Sequence, residues 1–190
     1  MSQLSVLEYS LDELRRVVGT LDDSEMEVVS NCAPWTVRRL ASHALNNQLF
    51  WGGVVTGEQP VSFEETMGAT PYDGDLSQYA GEVVTRAVAM WNTDDVLTQT
   101  HVTPMGELPG SVVINFATID ALAHAWDLSA SVGRAIEFTP DELPALAVIV
   151  DTTCTDAARE HGLIKAITVA PDDANPTERL MALAGRVIPR

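Results

Sequence analysis

The stretch SVVINFATIDALAHAWDLSASVG, residues 111–133, decides the fold class because nearly every side chain in it is apolar or small. A helix that is apolar on all sides is a buried helix. The only ionisable side chains in the stretch are Asp120, His124 and Asp127. At about 100° per residue, these three groups fall within roughly 60° of one another. The stretch therefore predicts a buried helix that carries one line of ionisable groups.

A divalent metal ion is one way to compensate such groups, since a buried carboxylate persists only when it is paired, hydrogen-bonded or metal-bound. Asp120 and His124 are four residues apart, so they project from adjacent turns and can reach one ion. His43 is the candidate third ligand, because it lies on an otherwise apolar face of a second predicted helix. Asn47, one turn further on, is predicted to contact the substrate at an open coordination position. Such a ligand set is typical of a catalytic divalent site.

These candidate ligands also have structural alternatives. A single histidine on an apolar face, such as His43, is more often a core residue bonded to a backbone carbonyl. Asp120 and His124 can form an ion pair within their helix. Both alternatives remain open on the residues alone.

The other ionisable residues near these motifs are predicted to have structural roles. Asp127 either pairs with Arg134 or Arg38 or orients His124 from outside the ligand set, and the structural role is favoured. His101 and His161 fall in predicted loops or helix ends, where they should be solvated.

Cysteine usage indicates reduced thiols in the cytoplasm. Cys32 and Cys154 are far apart and match no disulfide or CxxC spacing. Cys32 beside a histidine could form a nucleophilic pair, but no motif supports one.

Hydrophobic periodicity predicts an all-α protein. Four substantial helices are expected over residues 4–18, 37–55, 76–91 and 111–132. Residues 61–74 are predicted to form a loop and residues 97–102 a short, irregular β-like insertion. A helix that opens near Pro140 and a short one over 177–184 form a C-terminal extension. The simplest arrangement is an up-and-down four-helix bundle in one domain over residues 1–190.

Composition excludes several classes of partner. The net charge of −16 disfavours nucleic acid and anionic membrane surfaces, because binding to phosphates is driven by basic side chains. The longest apolar run is far shorter than the 18 or so residues of a membrane span, and the N-terminus has no signal-peptide pattern. A cytoplasmic protein is expected.

Three strings resemble a known family: CAPWTVRRLASH at 32–43, DALAHAWDL at 120–128 and PTERL at 176–180. They are similar to those of actinobacterial DinB-like proteins, and within these to the branch related to the metal-binding domain of mycothiol-dependent maleylpyruvate isomerase. The resemblance implies a DinB-like four-helix bundle with one divalent ion, zinc or nickel, on His43, Asp120 and His124.

The resemblance also implies a function. The chain is expected to be a metal-dependent thiol transferase or isomerase that activates a small thiol, mycothiol as co-substrate, as a metal-bound thiolate for attack on an electrophile. The alternatives are a non-catalytic protein that binds a metal or small ligand, and a bundle in which Asp120 and His124 merely pair. A homodimer is compatible with such a bundle.

Overall fold

The computed structural model describes residues 2–68, 70–160, 162 and 164–189. The helices of this part are α1 (Gln3–Val18), α2 (Val37–Thr56), α3 (Phe63–Gly68), α4 (Leu76–Trp91), α5 (Gly110–Ser131), α6 (Leu143–Thr153), α7 (Asp156–Glu160) and α8 (Pro176–Leu183). Strands β1 (Thr100–Thr103) and β2 (Gly106–Pro109) form an antiparallel hairpin between α4 and α5. No helix within these residues is both long and apolar enough to cross a membrane.

The boundaries of the long helices follow from local capping chemistry. The Thr36 side chain accepts a hydrogen bond from the Arg39 amide and caps the start of α2. Gly57 ends α2 with a φ of 76°, a left-handed conformation that glycine adopts without strain. Asp75 caps α4 through the amides of Ser77 and Gln78. The four predicted long helices are confirmed to within one or two residues at each end.

The long helices α1, α2, α4 and α5 form a bundle, and their order of directions is up, down, down, up. Gln3, at the start of α1, donates a hydrogen bond to the carbonyl of Ser111, at the start of α5, so these two helices are parallel. Helix α2 is antiparallel to α5, because His43 meets His124 near one end of the pair and Trp51 meets Phe116 near the other. Helix α4 is antiparallel to α1, because Asn92, at the end of α4, donates to Glu8 in the first half of α1. The predicted all-α four-helix bundle is confirmed. Its helix directions differ from simple alternation, because the connection after α2 returns along α2: the Tyr72 amide donates to Ser42 Oγ, so α4 begins at the same end of the bundle as α2.

Two apolar clusters meet at α5. The larger fills the bundle interior and includes Leu11, Leu45 and Ile114. The smaller joins the outer side of α5, through Leu122 and Trp126, to α6 and α8. Because both sides of α5 are covered, the helix is buried along most of its length, as its composition predicts.

Three details differ from the sequence predictions. The predicted loop over 61–74 contains the short helix α3, and the β-like insertion is a hairpin that begins at Thr100 rather than 97. His101 is buried rather than solvated, because its Nε2 lies 2.8 Å from the Val96 carbonyl oxygen within the hairpin region. His161 lies outside the described residues.

Candidate metal centre

Three side chains converge where α2 crosses α5. His43, Asp120 and His124 each offer one ligand atom, and these atoms lie within 4.8 Å of one another. The imidazole rings of His43 and His124 meet edge to face, with centroids 5.1 Å apart. The antiparallel packing of two helices thus brings together residues that are about 80 positions apart in the sequence.

A backbone carbonyl of α3 fixes the orientation of the His43 ring. Its Nδ1 donates a hydrogen bond to the Thr66 carbonyl oxygen at 2.7 Å. With the proton on Nδ1, the lone pair of Nε2 points into the site, as metal binding requires. The carbonyl bond of the structural alternative is therefore present, and the unprotonated Nε2 that faces the site accepts a hydrogen bond from Asn47 Nδ2.

Asp120 is held by two amides of α2. Gln48 Nε2 donates to Oδ2 of Asp120 at 2.9 Å, and Asn47 Nδ2 donates to Oδ1 at 2.9 Å. Asn47 Nδ2 also lies 3.2 Å from His43 Nε2, so this amide group stands between two of the candidate ligand atoms. Asn47 thus lies beside the candidate ligands, and its predicted contact with a substrate stays a prediction.

His124 is oriented by Asp127 on the next turn of α5. Its Nδ1 lies 3.2 Å from Asp127 Oδ2, while its Nε2 lies 3.5 Å from Asp120 Oδ1. A carboxylate behind a histidine fixes the ring and makes the facing nitrogen a better metal ligand. Arg186, rather than Arg134 or Arg38, pairs with the fully buried Asp127, with Nε at 3.1 Å from Oδ2.

Charge on the site follows from these contacts. Burial lowers the pKa of His43, and the nearby His124 lowers it further. Burial also opposes the charged forms of His124 and Asp120, but their mutual attraction prevails: it raises the pKa of His124 and holds the pKa of Asp120 below its usual value. A divalent cation would take the place of the proton that these two residues share.

Cys32 belongs to the surroundings of the site. Its thiol donates to Asp127 Oδ2 at 3.2 Å, and Cys32, His124 and Asp127 form a second group of ligand-type atoms within 4.8 Å. Because Arg186 already neutralises Asp127, this second group is the weaker candidate for a cation.

A cavity of about 470 Å³ opens onto the three ligand residues. Trp35 borders it and packs edge to face on His43, with ring centroids 4.7 Å apart. Lys165 and Arg186 also line the cavity. Its volume is in the range of small-molecule sites.

Several residues of the site had no recognisable signal in the sequence. Gln48 and the Thr66 carbonyl act through hydrogen bonds that periodicity does not show. Arg186 follows the last helix, where no motif marks it. Trp35 lies in the string that resembles the DinB-like proteins, but nothing in its spacing marks it as part of a cavity.

Residues 7–129 match the sequence model of a family described as "Mycothiol maleylpyruvate isomerase N-terminal domain". The chain belongs to this family. The match covers the three candidate ligands and ends before Arg186 and Lys165. The mycothiol isomerase resemblance inferred from the three strings is thereby confirmed.

Two further comparisons show a relative that matches over nearly the whole chain and solved structures with a similar fold. An uncharacterized protein of Mycobacterium tuberculosis, present in strains H37Rv and CDC 1551, is 24% identical over 194 residues and covers 99% of this chain and 100% of its own length. The crystal structure of the mycothiol-dependent maleylpyruvate isomerase superposes with a TM-score of 0.61 at 22% identity, over 78% of this chain and 68% of that one. A histidine-to-alanine mutant of that enzyme gives a TM-score of 0.60 at 21% identity, with the same coverage. At this identity the likeness shows a shared fold.

Proposed function

We propose that this protein binds one divalent metal ion, zinc or nickel, through His43, Asp120 and His124, and uses it with a small thiol in a transfer or isomerisation reaction. The name of the family supports mycothiol as the thiol, and a cytoplasmic reaction follows from that choice of co-substrate. Two imidazoles and a carboxylate suit either metal.

One observation carries the proposal: each candidate ligand is oriented by a second group on its outer side. The Thr66 carbonyl holds His43, Gln48 holds Asp120, and Asp127 holds His124. A simple ion pair between Asp120 and His124 explains neither the orientation of His43 nor the cavity in front of all three residues. Such outer partners are the usual accompaniment of a metal site.

When bound, a divalent cation stabilises a thiolate relative to the thiol and so supplies a nucleophile near neutral pH. The protein's own groups orient the reactants. Asn47 borders both the candidate ligands and the cavity, so its amide can hold a reactant beside the ion. Lys165 adds positive charge and Arg186, although paired with Asp127, offers further guanidinium donors, and both features favour anionic groups of a bound molecule.

The simplest reaction of this kind is addition of a thiol to an activated alkene. The sulfur forms a bond to one alkene carbon, the π-electron pair moves to the other carbon, and that carbon receives the proton lost by the thiol. No oxidant or reductant is consumed. Isomerisation needs only rotation about the resulting single bond and reversal of the addition.

The test is a thiol-conjugation assay on zinc-loaded protein, with and without a chelator. We expect turnover that chelation abolishes and added zinc restores. Asp120→Asn should reduce the rate at least about tenfold, as expected for damage to a metal site, whereas Asp151→Asn, the same change at an exposed position of α6, should leave it unchanged. Turnover that survives chelation would contradict the proposal. Metal binding without turnover across a broad panel of electrophiles would favour the non-catalytic binder.

A further inference from the structure

One side of the cavity is a continuous aromatic wall. Phe63, Phe50, Trp51 and Phe116 follow one another with ring centroids 5.5, 5.0 and 5.8 Å apart. Trp51 and Phe116 are stacked, with an angle of 18° between their planes. Met67 of α3 and Met105 of the hairpin turn complete the wall. Four elements (α2, α3, α5 and the hairpin) thus contribute apolar side chains to one surface.

The positive charge of the cavity lies at its other end. Along α5, Phe116 precedes Asp120 by about one turn, and Asp127, which binds Arg186, follows His124 by about one turn. Helix α2 runs the opposite way, so Trp51 falls beside Phe116. The candidate metal ligands therefore lie between an apolar end and a cationic end, which about 16 Å of helix separates.

The rim of the aromatic wall is open to solvent. Phe63 is 38% exposed and Met67 is 55% exposed, although both border a cavity that leads to the candidate metal ligands. Large apolar side chains exposed around a concave site are typical of a surface that buries an apolar ligand.

We propose that the aromatic wall is the binding site for the electrophile, and that this electrophile carries an aromatic or extended apolar group. The inference rests on the proposed thiol function and adds the substrate class. The polar thiol would lie toward Arg186 and Lys165, and the acceptor toward Phe116. The wall offers stacking surface and no cation, so a small dicarboxylate would lose hydration there without gaining a charged partner.

The wall can be probed by binding, independently of turnover. The probe is 4-phenylbutan-2-one, a ketone without an activated alkene, which therefore cannot undergo conjugate addition of a thiol. Its binding is followed through tryptophan fluorescence of the zinc-loaded protein. We expect Phe63→Ser and Met67→Ser each to weaken binding at least about fivefold. Both positions are at the rim of a short helix, so either variant can be used if the other folds poorly. Val148→Ser, an exposed apolar position of α6, is the matched control and should bind as wild type does.

Turnover is then compared for 4-phenylbut-3-en-2-one, but-3-en-2-one and fumarate, each relative to its uncatalysed rate with the same thiol. We expect the phenyl ketone to give the highest kcat/KM, and Phe63→Ser to remove that advantage by raising KM. Equal binding in wild type and both rim variants, or preference for fumarate, would overturn the assignment of the wall. Binding that depends on the wall without turnover of any acceptor would instead contradict the thiol reaction and leave the apolar site intact.

Discussion

Trp126 and Asp127 are neighbours on α5 and both are fully buried, yet the surroundings of Trp126 are apolar and those of Asp127 are polar. Trp126 packs in the apolar cluster with α6 and α8. Asp127 accepts hydrogen bonds from Asn31, Cys32 and Arg186 and lies against His124. The apolar sides of α5 are explained by packing alone, whereas its polar side, formed by Asp120, His124 and Asp127, needs a specific set of partners.

The apolar and polar sides of α5 therefore contribute differently to the stability of the fold and to the candidate metal site. Burial of apolar side chains stabilises the fold directly. Burial of carboxylates opposes folding until hydrogen bonds and opposite charges compensate it. Substitutions on the apolar sides should therefore change the free energy of unfolding alone. Those on the polar side should change metal affinity and, at Asp127, also stability, because the buried Arg186 loses its counter-charge.

The largest expected effect is on stability, from Leu122→Ala on the apolar side. Leu122 is fully buried between α5 and the C-terminal helices, so its truncation leaves a cavity and should lower the free energy of unfolding by about 2–5 kcal/mol. Urea denaturation of the metal-free protein measures this change. Zinc bound per folded chain should stay as in wild type.

Leu183→Ala, at a half-exposed position of α8, is the control and should change stability by less than about 1 kcal/mol. Loss of zinc from folded Leu122→Ala protein would contradict the claim that the apolar side of α5 acts on stability and not on metal binding.

Asp127→Asn should have the next largest effect, on metal affinity. The amide preserves the shape of the side chain but removes the charge that orients and polarises His124, so zinc affinity should fall about ten- to a hundredfold. Competition with a chromogenic chelator measures the affinity. Asp151→Asn removes the same charge from an exposed site and should bind zinc as wild type does. Unchanged affinity in Asp127→Asn would exclude its part in the metal site.

Arg134→Ala should have the smallest effect. Arg134 pairs with Glu25 at 2.6 Å near the ends of α1 and α5, but its side chain is 44% exposed. Solvent weakens such pairs, so the free energy of unfolding should fall by less than about 1 kcal/mol. Thermal unfolding and zinc titration check this, and a change in zinc affinity would show coupling between the surface and the site.

Sequence periodicity predicted α5 and its polar side because both depend on neighbours within one helix. The convergence of Asp120 and His124 follows from a spacing of four residues. His43 was found because a histidine interrupts an apolar face. These features are local, and the structure places all three residues together.

The remaining features depend on contacts between distant segments. Arg186 reaches Asp127 from beyond the last helix, 59 positions away, and no periodicity predicts such a contact. The directions of the helices were not predictable either, because a connection of this length can start the next helix at either end of the bundle. The contact between Tyr72 and Ser42 that shows the return is made between distant residues. His101 was misjudged because its environment is created by the hairpin and not by adjacent residues.

The most direct test of the metal centre is elemental mass spectrometry of purified protein, after exposure to zinc, or in separate samples to nickel or manganese, and removal of loosely bound ions. Wild type, Leu122→Ala, His43→Ala and His124→Ala are compared at equal folded concentration. The metal centre predicts about one zinc ion per chain in wild type and in Leu122→Ala, and less than about a tenth of that in both histidine variants. Wild-type protein that retains no zinc, nickel or manganese, or histidine variants that retain a full ion, would contradict it.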